Sequence, residues 1–290
     1  MSPEHKQNLE KQLWSIADLL RGKMNADEYK NYILGFIFYK YLSEIQETFA
    51  DKILEEEYEN RKFISNHFEE EELQALKDES LANLGFFLKP AELFSYLVKK
   101  SKGKIEAEKD DFILENLKKV LIHIEQTSQG TESEDDFSGL FSDVDLTSVK
   151  LGKSESQKNE IVSGILQKLN EIDFDLSNTN SDVLGDAYEY LIGEFASGAG
   201  KKGGEFYTPS QVSNVLAKIV TEGKTRIKSV YDSTCGSGSL LLKLRQNAQI
   251  TDYFGKELNP TTYNLARMNM ILHGVHFSNF NIQHGDTVTE

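Results

Sequence analysis

The chain has 290 residues, which is enough for about two domains, and its content of 39% hydrophobic and 27% charged residues is that of a globular protein. Its single cysteine excludes an internal disulfide and leads us to expect a reducing, cytoplasmic location. No apolar run reaches the roughly 20 residues that a membrane-spanning helix requires, so no membrane association is expected.

The net charge of −15 is distributed unevenly along the chain. Residues 1–195 contain 22 lysines and arginines against 40 aspartates and glutamates, whereas residues 196–290 contain 10 against 7. Because a phosphate backbone repels an acidic surface, the first part is unsuited to lie along nucleic acid. If nucleic acid is involved, the second part or another subunit must hold it.

The first part of the sequence predicts a domain made of helices. Leucines and isoleucines recur at helical spacing between Leu9 and Leu20, and Asn25 is placed to cap a long helix that continues through Tyr41. Further helical patterns follow along the rest of this part. The polar, acidic segment 127–139 is predicted to be a mobile loop.

The second part of the sequence alternates strands with helices. The pattern predicts strands at 227–232, 252–257 and 280–284, each separated from the next by a helix. Such alternation is typical of a parallel α/β sheet. The fold class is therefore predicted as α + α/β, with a helical domain over residues 1–175 and a Rossmann-like sheet over residues 176–290.

The segment SGAGKKGGEFYTP (197–209) marks the change from one part to the other. Its glycine and lysine content suggests a phosphate-binding loop, but the pattern GxxxxGK[ST] that defines such a loop is not present. We therefore interpret residues 197–204 as a flexible hinge between domains.

A glycine-containing turn follows the first predicted strand, in the stretch SVYDSTCGSGSLLLKL (229–244). Gly236 and Gly238 allow the backbone to pass close beneath a ligand, where exposed amide groups can hold polar atoms. The dinucleotide pattern GxGxxG is incomplete, because Leu241 stands at the third glycine position. The turn therefore indicates a ligand site without identifying the ligand.

Acidic residues stand at the ends of all three predicted strands. Asp232 precedes the glycine turn, Glu257 ends the second strand, and Asp286 follows the third. In this position Glu257 could accept hydrogen bonds from both ribose hydroxyls of an adenosine, and Asp286 could meet the adenine amino group. Together with the turn, the three acids favour a ligand that contains adenosine.

Two other groups of residues were candidates for chemistry. His273, His276 and His284 suggest a metal, but no set of Cys, His and acidic residues has the spacing of a metal site, so no metal is predicted. Cys235 has no basic group near it in sequence that could activate it as a nucleophile. We interpret Cys235 as a small packed residue of the turn.

Four motifs occur in an order that resembles a known family. The stretches GEFYTP, DSTCGSGSLLL, GKELNPTTYNLARMNMILHG and HGD resemble those of the modification subunit of type I restriction–modification enzymes. That family transfers a methyl group from S-adenosylmethionine to adenine N6 in DNA. The resemblance covers the α/β part closely and the helical part more loosely. It implies that residues 176–290 form the first half of an S-adenosylmethionine-dependent methyltransferase sheet.

The resemblance also implies which residues bind the cofactor. The loop GEFYTPS resembles the one that closes over the methionine end, and Asp232 with the glycine turn resembles the floor beneath the amino-acid moiety. Glu257 matches the ribose acceptor, and Asp286 matches the acid beside adenine. Ser233 departs from the family, which commonly has proline after the aspartate. The implied set is Glu205, Phe206, Tyr207, Thr208, Pro209, Ser210, Asp232, Gly236, Ser237, Gly238, Ser239, Glu257 and Asp286.

The catalytic motif of that family is missing from this sequence. Adenine methylation needs an Asn-Pro-Pro-aromatic turn after the fourth strand, whose polar groups accept hydrogen bonds from the target amino group while the ring stacks on the flipped base. The four prolines, Pro3, Pro90, Pro209 and Pro260, include no adjacent pair. Pro260 follows the second strand, where it most simply opens a helix. We expect no catalytic residue here and interpret the sequence as the front part of a longer enzyme, inactive by itself.

The resemblance implies partners as well. These are a specificity subunit, a second modification subunit and a restriction subunit of the same system, with double-stranded DNA held within the complex. One alternative is a non-catalytic, truncated or split subunit that docks on partners and at most binds the cofactor. Another is an oxidoreductase that binds an adenosine nucleotide, which Leu241 and the FYTP loop disfavour.

Overall fold

The computed structural model describes residues 3–57, 61–65, 68–105, 111–174, 183–198 and 207–289. The chain divides into two compact units, one within residues 7–179 and one within residues 180–290 that also takes in the first few residues of the chain. The first unit is helical and the second contains a parallel sheet, in agreement with the predicted fold class. None of the described helices is long and apolar enough to cross a membrane.

The helical unit is built around one long central helix. Helix α2 extends over Ala26–Glu57, and nearly all of its residues between Tyr29 and Leu42 are buried. The carboxylate of Glu28 accepts a hydrogen bond from the backbone N–H of Asn25 at 3.1 Å, which helps to define the start of this helix. The other helices of this part are α1 (Pro3–Ile16), α3 (Glu70–Leu84), α4 (Phe94–Ser101), α5 (Leu114–Ser128), α6 (Glu134–Phe137) and α7 (Glu155–Asn170).

Polar side chains on α2 bind the backbone of the segment that joins α3 to α4 and the first residue of α4. The Tyr39 hydroxyl donates to the carbonyl oxygen of Glu92 at 2.6 Å, and the Ser43 hydroxyl accepts from the N–H of Phe94 at 2.7 Å. Buried backbone groups must find partners, and here the central helix supplies them. The connection is thereby fixed to the core although it has little regular structure of its own.

The segment 127–139 is not the mobile loop that its composition predicts. It contains helix α6, and the Phe137 side chain is 1% exposed and packs against Phe86 with ring centroids 5.4 Å apart. The Ser133 hydroxyl donates to the carbonyl oxygen of Gly85 at 2.5 Å. The prediction was wrong because burial of one aromatic ring and satisfaction of one buried hydroxyl outweigh the acidic character of the surrounding residues.

The second unit contains a three-stranded parallel sheet. Val230 pairs with Tyr253, which in turn pairs with Phe280, and these three side chains belong to one buried core with residues from the helices. The sequence predicts a helix over residues 238–248, between the first two strands. In the structure this helix is shorter and ends at Leu244. The strands are β1 (Arg226–Asp232), β2 (Gln249–Glu257) and β3 (Phe280–His284), and they lie in the order β1-β2-β3. The helices of this unit are α8 (Val183–Gly198), α9 (Ser210–Thr221), α10 (Ser239–Leu244) and α11 (Pro260–Leu272).

Lys40 is a charged residue inside the helical unit. Its side chain is 3% exposed, and Nζ donates to the carbonyl oxygen of Ile172 at 2.7 Å and to Glu44 Oε1 at 2.6 Å. Nζ also lies 3.7 Å from the centroid of the Phe174 ring. Burial lowers the pKa of the Lys40 ammonium, and the charge of Glu44 offsets part of that shift. Lys40 thus ties α2 to the chain that follows α7.

We predict that Lys40→Met lowers the free energy of unfolding by about 1 to 3 kcal/mol, because the Ile172 carbonyl loses its buried donor. Lys52→Met, at an exposed position on the same helix, should change that free energy by less than about 0.5 kcal/mol. Urea denaturation followed by helical circular dichroism measures both. Equal effects of the two substitutions would contradict a structural role for Lys40.

Candidate functional site

Glu257 joins the ends of the strands at the carboxyl edge of the sheet. Its Oε2 accepts a hydrogen bond from the N–H of Gly236 at 3.0 Å, and its Oε1 accepts from the N–H of Asn259 at 2.8 Å. Its carbonyl oxygen accepts from the N–H of Gly285 at 3.0 Å. The residue is 9% exposed, so the carboxylate is largely shielded from water and held in one orientation. One residue therefore binds the glycine turn, the start of α11 and the turn after β3.

The glycine turn between β1 and α10 requires glycine at two positions. Gly236 and Gly238 have φ angles of 56° and 76°, in the left-handed region that other residues rarely adopt. A Cβ atom at Gly238 would also stand 3.0 Å from Cε of Met270 in α11. Glycine is therefore required at position 238 for two reasons, namely its backbone angle and the close approach of the turn to α11.

The two serines of the turn point into the protein. Ser237 and Ser239 are 2% and 4% exposed, and their hydroxyls lie 2.9 Å apart. The Asn269 side-chain amide donates to the carbonyl oxygen of Ser237 at 2.9 Å. The two hydroxyls thus bond to each other, and the carbonyl of Ser237 is bound by Asn269, so both serines help to hold the turn against α11.

Cys235 is packed into the turn. Its Sγ would stand 2.9 Å from a Cβ atom at Gly255, so the glycine in β2 makes room for the sulfur. Burial, followed by the charges of Asp232 and Glu257, raises the pKa of the Cys235 thiol to about 12. A thiol with this pKa stays protonated near neutral pH, which fits a packing role and not a nucleophile.

The carboxylates of Asp232 and Asp286 each accept a hydrogen bond from the backbone two residues further along the chain. Asp232 Oδ1 accepts from the N–H of Thr234 at 3.0 Å, and Asp286 Oδ1 accepts from the N–H of Val288 at 2.9 Å. The Val288 hydrogen bond is the main reason why the pKa of Asp286 is lowered. Between the two turns, the Thr287 hydroxyl donates to the carbonyl of Ser233. The structure therefore links the loops that carry these two acids.

The loop that begins at residue 204 is described only in part, because Glu205 and Phe206 lie outside the described residues. The Tyr207 ring rests on α8, where a Cβ atom at Gly193 would come within 3.2 Å of it. Burial, followed by the charge of Glu189, raises the pKa of Tyr207. Thr208 and Pro209 are exposed.

Among the described residues, the hydrogen bonds of this loop are local. The Pro209 carbonyl accepts from the N–H of Val212 at 2.9 Å and so begins α9, whose first residue is Ser210. The described hydrogen bonds of Tyr207–Ser210 therefore do not reach the glycine turn or the turn after β3. The structure brings Asp232, the glycine turn, Glu257 and Asp286 together, while the described part of the loop packs on α8.

A group of charged residues between α8, α10 and α11 was not predicted from the sequence. Asp186, Glu189 and His273 each place one possible metal ligand within 4.8 Å of the others. However, Lys243 Nζ lies 3.1 Å from Glu189 Oε2, and both side chains are at least 88% buried, with 12% and 8% exposure. An ammonium at this distance opposes a second cation, so we interpret Glu189 and Lys243 as an ion pair that joins α8 to α10. No local pattern in the sequence could have paired residues so far apart.

The histidines that suggested a metal each have a separate hydrogen-bond partner. His273 Nδ1 lies 2.9 Å from the carbonyl oxygen of Asn269, one helical turn earlier in α11. His284 Nε2 lies 2.9 Å from the carbonyl oxygen of Leu258, and His276 Nδ1 lies 2.8 Å from the Ser278 hydroxyl. Each ring is thus oriented by a neighbour of its own, and the three do not form one group.

Comparison with known proteins gives matches over both units. A family model described as the HsdM N-terminal domain matches residues 9–169, and one described as N-6 DNA methylase matches residues 179–290. The type I restriction enzyme MpnII methylase subunit of Mycoplasma pneumoniae is 38% identical over 99% of this chain and 54% of that protein. The MjaIX methylase subunit of Methanocaldococcus jannaschii is 31% identical over 91% of this chain and 45% of that protein.

A solved structure agrees with these matches. The methyltransferase subunit of a type I restriction-modification system from Streptococcus thermophilus aligns with a TM-score of 0.82 and 38% identity, over 98% of this chain and 59% of that one. The chain spans about half the length of the curated relatives that it matches. The predicted combination of a helical part and a methyltransferase sheet is confirmed. The chain belongs to the family of type I restriction–modification methylase subunits.

Proposed function

We propose that this chain is the cofactor-binding part of a type I modification subunit, which transfers a methyl group from S-adenosylmethionine to adenine N6 in DNA. Family membership supports the class of reaction. The observation that carries the assignment of the site is the Glu257 carboxylate, held at the end of β2 beside the glycine turn. In this proposal the cofactor supplies the methyl group, and the residues described here bind and orient it.

The donor and acceptor groups of the site fit S-adenosylmethionine. Each oxygen of the Glu257 carboxylate accepts one backbone hydrogen bond and has a second lone-pair direction, with which it would accept from a ribose hydroxyl. Asp286 would accept from the adenine amino group. Asp232 and the backbone of Gly236–Ser239 would hold the amino-acid moiety, and Glu205–Ser210 would cover the methionine end. Three carboxylates also suit a ligand that carries ammonium and sulfonium charges.

The proposed partners follow from the family and from the charge of the chain. Methyl transfer requires the Asn-Pro-Pro-aromatic turn, which this sequence does not contain. The acidic residues 1–195 would serve contacts with protein, namely a specificity subunit, a second modification subunit and a restriction subunit. Double-stranded DNA would be held by the assembled complex, in the cytoplasm.

The first prediction from the proposed function concerns cofactor affinity. Glu257→Gln should weaken binding of S-adenosylmethionine by about 10- to 150-fold, because a hydrogen bond to a charged group is worth about 1.5 to 3 kcal/mol. Asp252→Asn, which removes a carboxylate in the middle of the same strand, should leave the affinity within about twofold. Isothermal titration calorimetry measures both, and NAD serves as a second ligand that should not bind.

Because Glu257 also holds the turn, a further variant separates binding from folding. Asp286→Asn alters a side chain on a partly exposed turn and should also weaken binding of the cofactor. Thermal unfolding without ligand shows whether each variant is folded. If both folded variants bind the cofactor as the unsubstituted protein does, or if NAD binds more tightly, the site is not the one proposed.

The second prediction concerns catalysis. The 290-residue chain, incubated with labelled S-adenosylmethionine and duplex DNA, should incorporate no label above a reaction without enzyme, because the groups that bind the target amino nitrogen are missing. Scintillation counting of the recovered DNA measures the label. Incorporation above background would show that this chain methylates DNA by means other than the motif of its family.

The third prediction concerns DNA. The full chain should bind duplex DNA weakly, with a slope of log affinity against log salt shallower than about −3, since each phosphate contact contributes about −0.9. Fluorescence anisotropy between low and physiological salt measures this slope. A steeper slope with tight binding would contradict the proposal that partner subunits provide most of the DNA contact.

A further inference from the structure

The buried carboxylate of Glu189 has a partner on one oxygen only. Its Oε2 lies 3.1 Å from Lys243 Nζ, whereas none of the described residues donates a hydrogen bond to its Oε1. Asp186 and His273 lie close by, but neither binds that oxygen. Glu189 is 6% exposed, so Oε1 has little access to solvent donors. A buried carboxylate oxygen without a donor is costly, and its retention calls for an explanation.

Tyr207 lies on the same face of α8 as Glu189. Gly193 follows Glu189 by four residues, so the two positions are neighbours on the helix surface, about 5 to 6 Å apart. A Cβ atom at Gly193 would stand 3.2 Å from the Tyr207 hydroxyl oxygen, so glycine makes room for this end of the ring. The side chain of a glutamate can span the remaining gap. The Tyr207 hydroxyl is therefore a donor that this face of α8 holds beside Glu189.

The electrostatics of Tyr207 agree with this placement. Burial raises the pKa of Tyr207, and the charge of Glu189 raises it further. A carboxylate has this effect on a phenol only at short range, and it favours the protonated hydroxyl. Tyr207 is thus kept in the form that can donate a hydrogen bond to Glu189.

The other oxygen of Glu189 leads to the glycine turn. Its partner Lys243 belongs to α10, whose first residue, Ser239, comes directly after Gly238 of that turn. Lys243 lies one helical turn further on, so the ion pair fixes α8 close to the point where the turn enters α10. Glu189 therefore stands between Tyr207 and the glycine turn.

We propose that Glu189 is a positioning residue of the cofactor site, which holds Tyr207 in a fixed relation to the glycine turn. Oε2 binds Lys243, and Oε1 accepts the hydrogen bond of the Tyr207 hydroxyl when S-adenosylmethionine is bound. The inference rests on the proposed function, in which Tyr207 and the glycine turn both serve the methionine end of the cofactor. Glu189 itself touches no atom of the cofactor.

The role accounts for features that the ion pair alone leaves unexplained. A second partner satisfies the buried Oε1, and the absence of a side chain at Gly193 keeps the Tyr207 ring beside it. A site whose two sides are already held apart by the right distance loses less conformational entropy on binding. Glu257 and Asp286 hold the adenosine end in the proposed site, so Glu189 should affect only the other end of the ligand.

The test compares two ligands on the full 290-residue chain by isothermal titration calorimetry. S-adenosylmethionine has both ends, whereas 5′-deoxy-5′-methylthioadenosine has the adenosine end and lacks the amino-acid moiety. Glu189→Gln should weaken binding of S-adenosylmethionine about 10-fold or more and leave binding of methylthioadenosine within about twofold. Glu194→Gln, which removes the charge of a half-buried glutamate on another face of α8, should change neither affinity.

Two further variants separate positioning from folding. The pair Glu189→Gln with Lys243→Met removes both charges, so no buried charge is left without a partner, and it should show the same preference between the two ligands. Tyr207→Phe removes the proposed donor. If Glu189 acts through Tyr207, combining Tyr207→Phe with Glu189→Gln should weaken binding of S-adenosylmethionine no more than the stronger of the two single substitutions does.

Thermal unfolding without ligand shows which variants are folded, and the folded ones decide the outcome. Equal weakening of both ligands would make Glu189 a purely structural residue, and unchanged affinities would remove it from the site, so either result overturns the proposal. Additive effects of Tyr207→Phe and Glu189→Gln would overturn the link through Tyr207. If the unsubstituted chain binds neither ligand, the proposed function itself is wrong and the positioning role falls with it.

Discussion

The arrangement of the candidate site depends on one buried carboxylate. Glu257 accepts hydrogen bonds from the backbone of the glycine turn and of Asn259, and its own carbonyl binds the turn after β3. Without it, the N–H groups of Gly236 and Asn259 would lose charged acceptors in a site largely shielded from water. The strand ends therefore have a defined spacing before any ligand binds. The proposed ribose contact uses the same carboxylate, so structure and binding share one residue.

The two units differ in how completely they bury their apolar residues. In the helical unit, α2 is surrounded, and even Lys40 finds a carbonyl, a carboxylate and an aromatic ring. In the second unit, aliphatic side chains of α9, together with Tyr231 and Phe254 of the sheet, meet solvent. The hydrophobic effect stabilises the packed interior of the first unit. In the second unit the exposed apolar side chains form a surface that favours association.

Much of the fold could be predicted from periodicity and from punctuation by glycine and proline. Strand β3 has the predicted bounds, α11 begins at Pro260 as expected, and the alternation of strands and helices correctly indicates a parallel sheet. The segment 127–139 was the clear failure, because Phe137 packs against a ring about fifty positions earlier in the chain. Composition describes a segment on average, whereas one buried aromatic side chain can decide its structure.

For the site, the sequence by itself determined which residue types stand at the strand ends and that glycine is needed in the turn, because these features depend on neighbours along the chain. Tertiary structure alone decided that Ser237 and Ser239 turn inward, that Glu257 binds two backbone donors, and that α9 turns aliphatic side chains outward. It also paired Glu189 with Lys243. Such contacts join residues distant in sequence, and they exist only once the packing of the elements has brought those residues within hydrogen-bond or van der Waals distance.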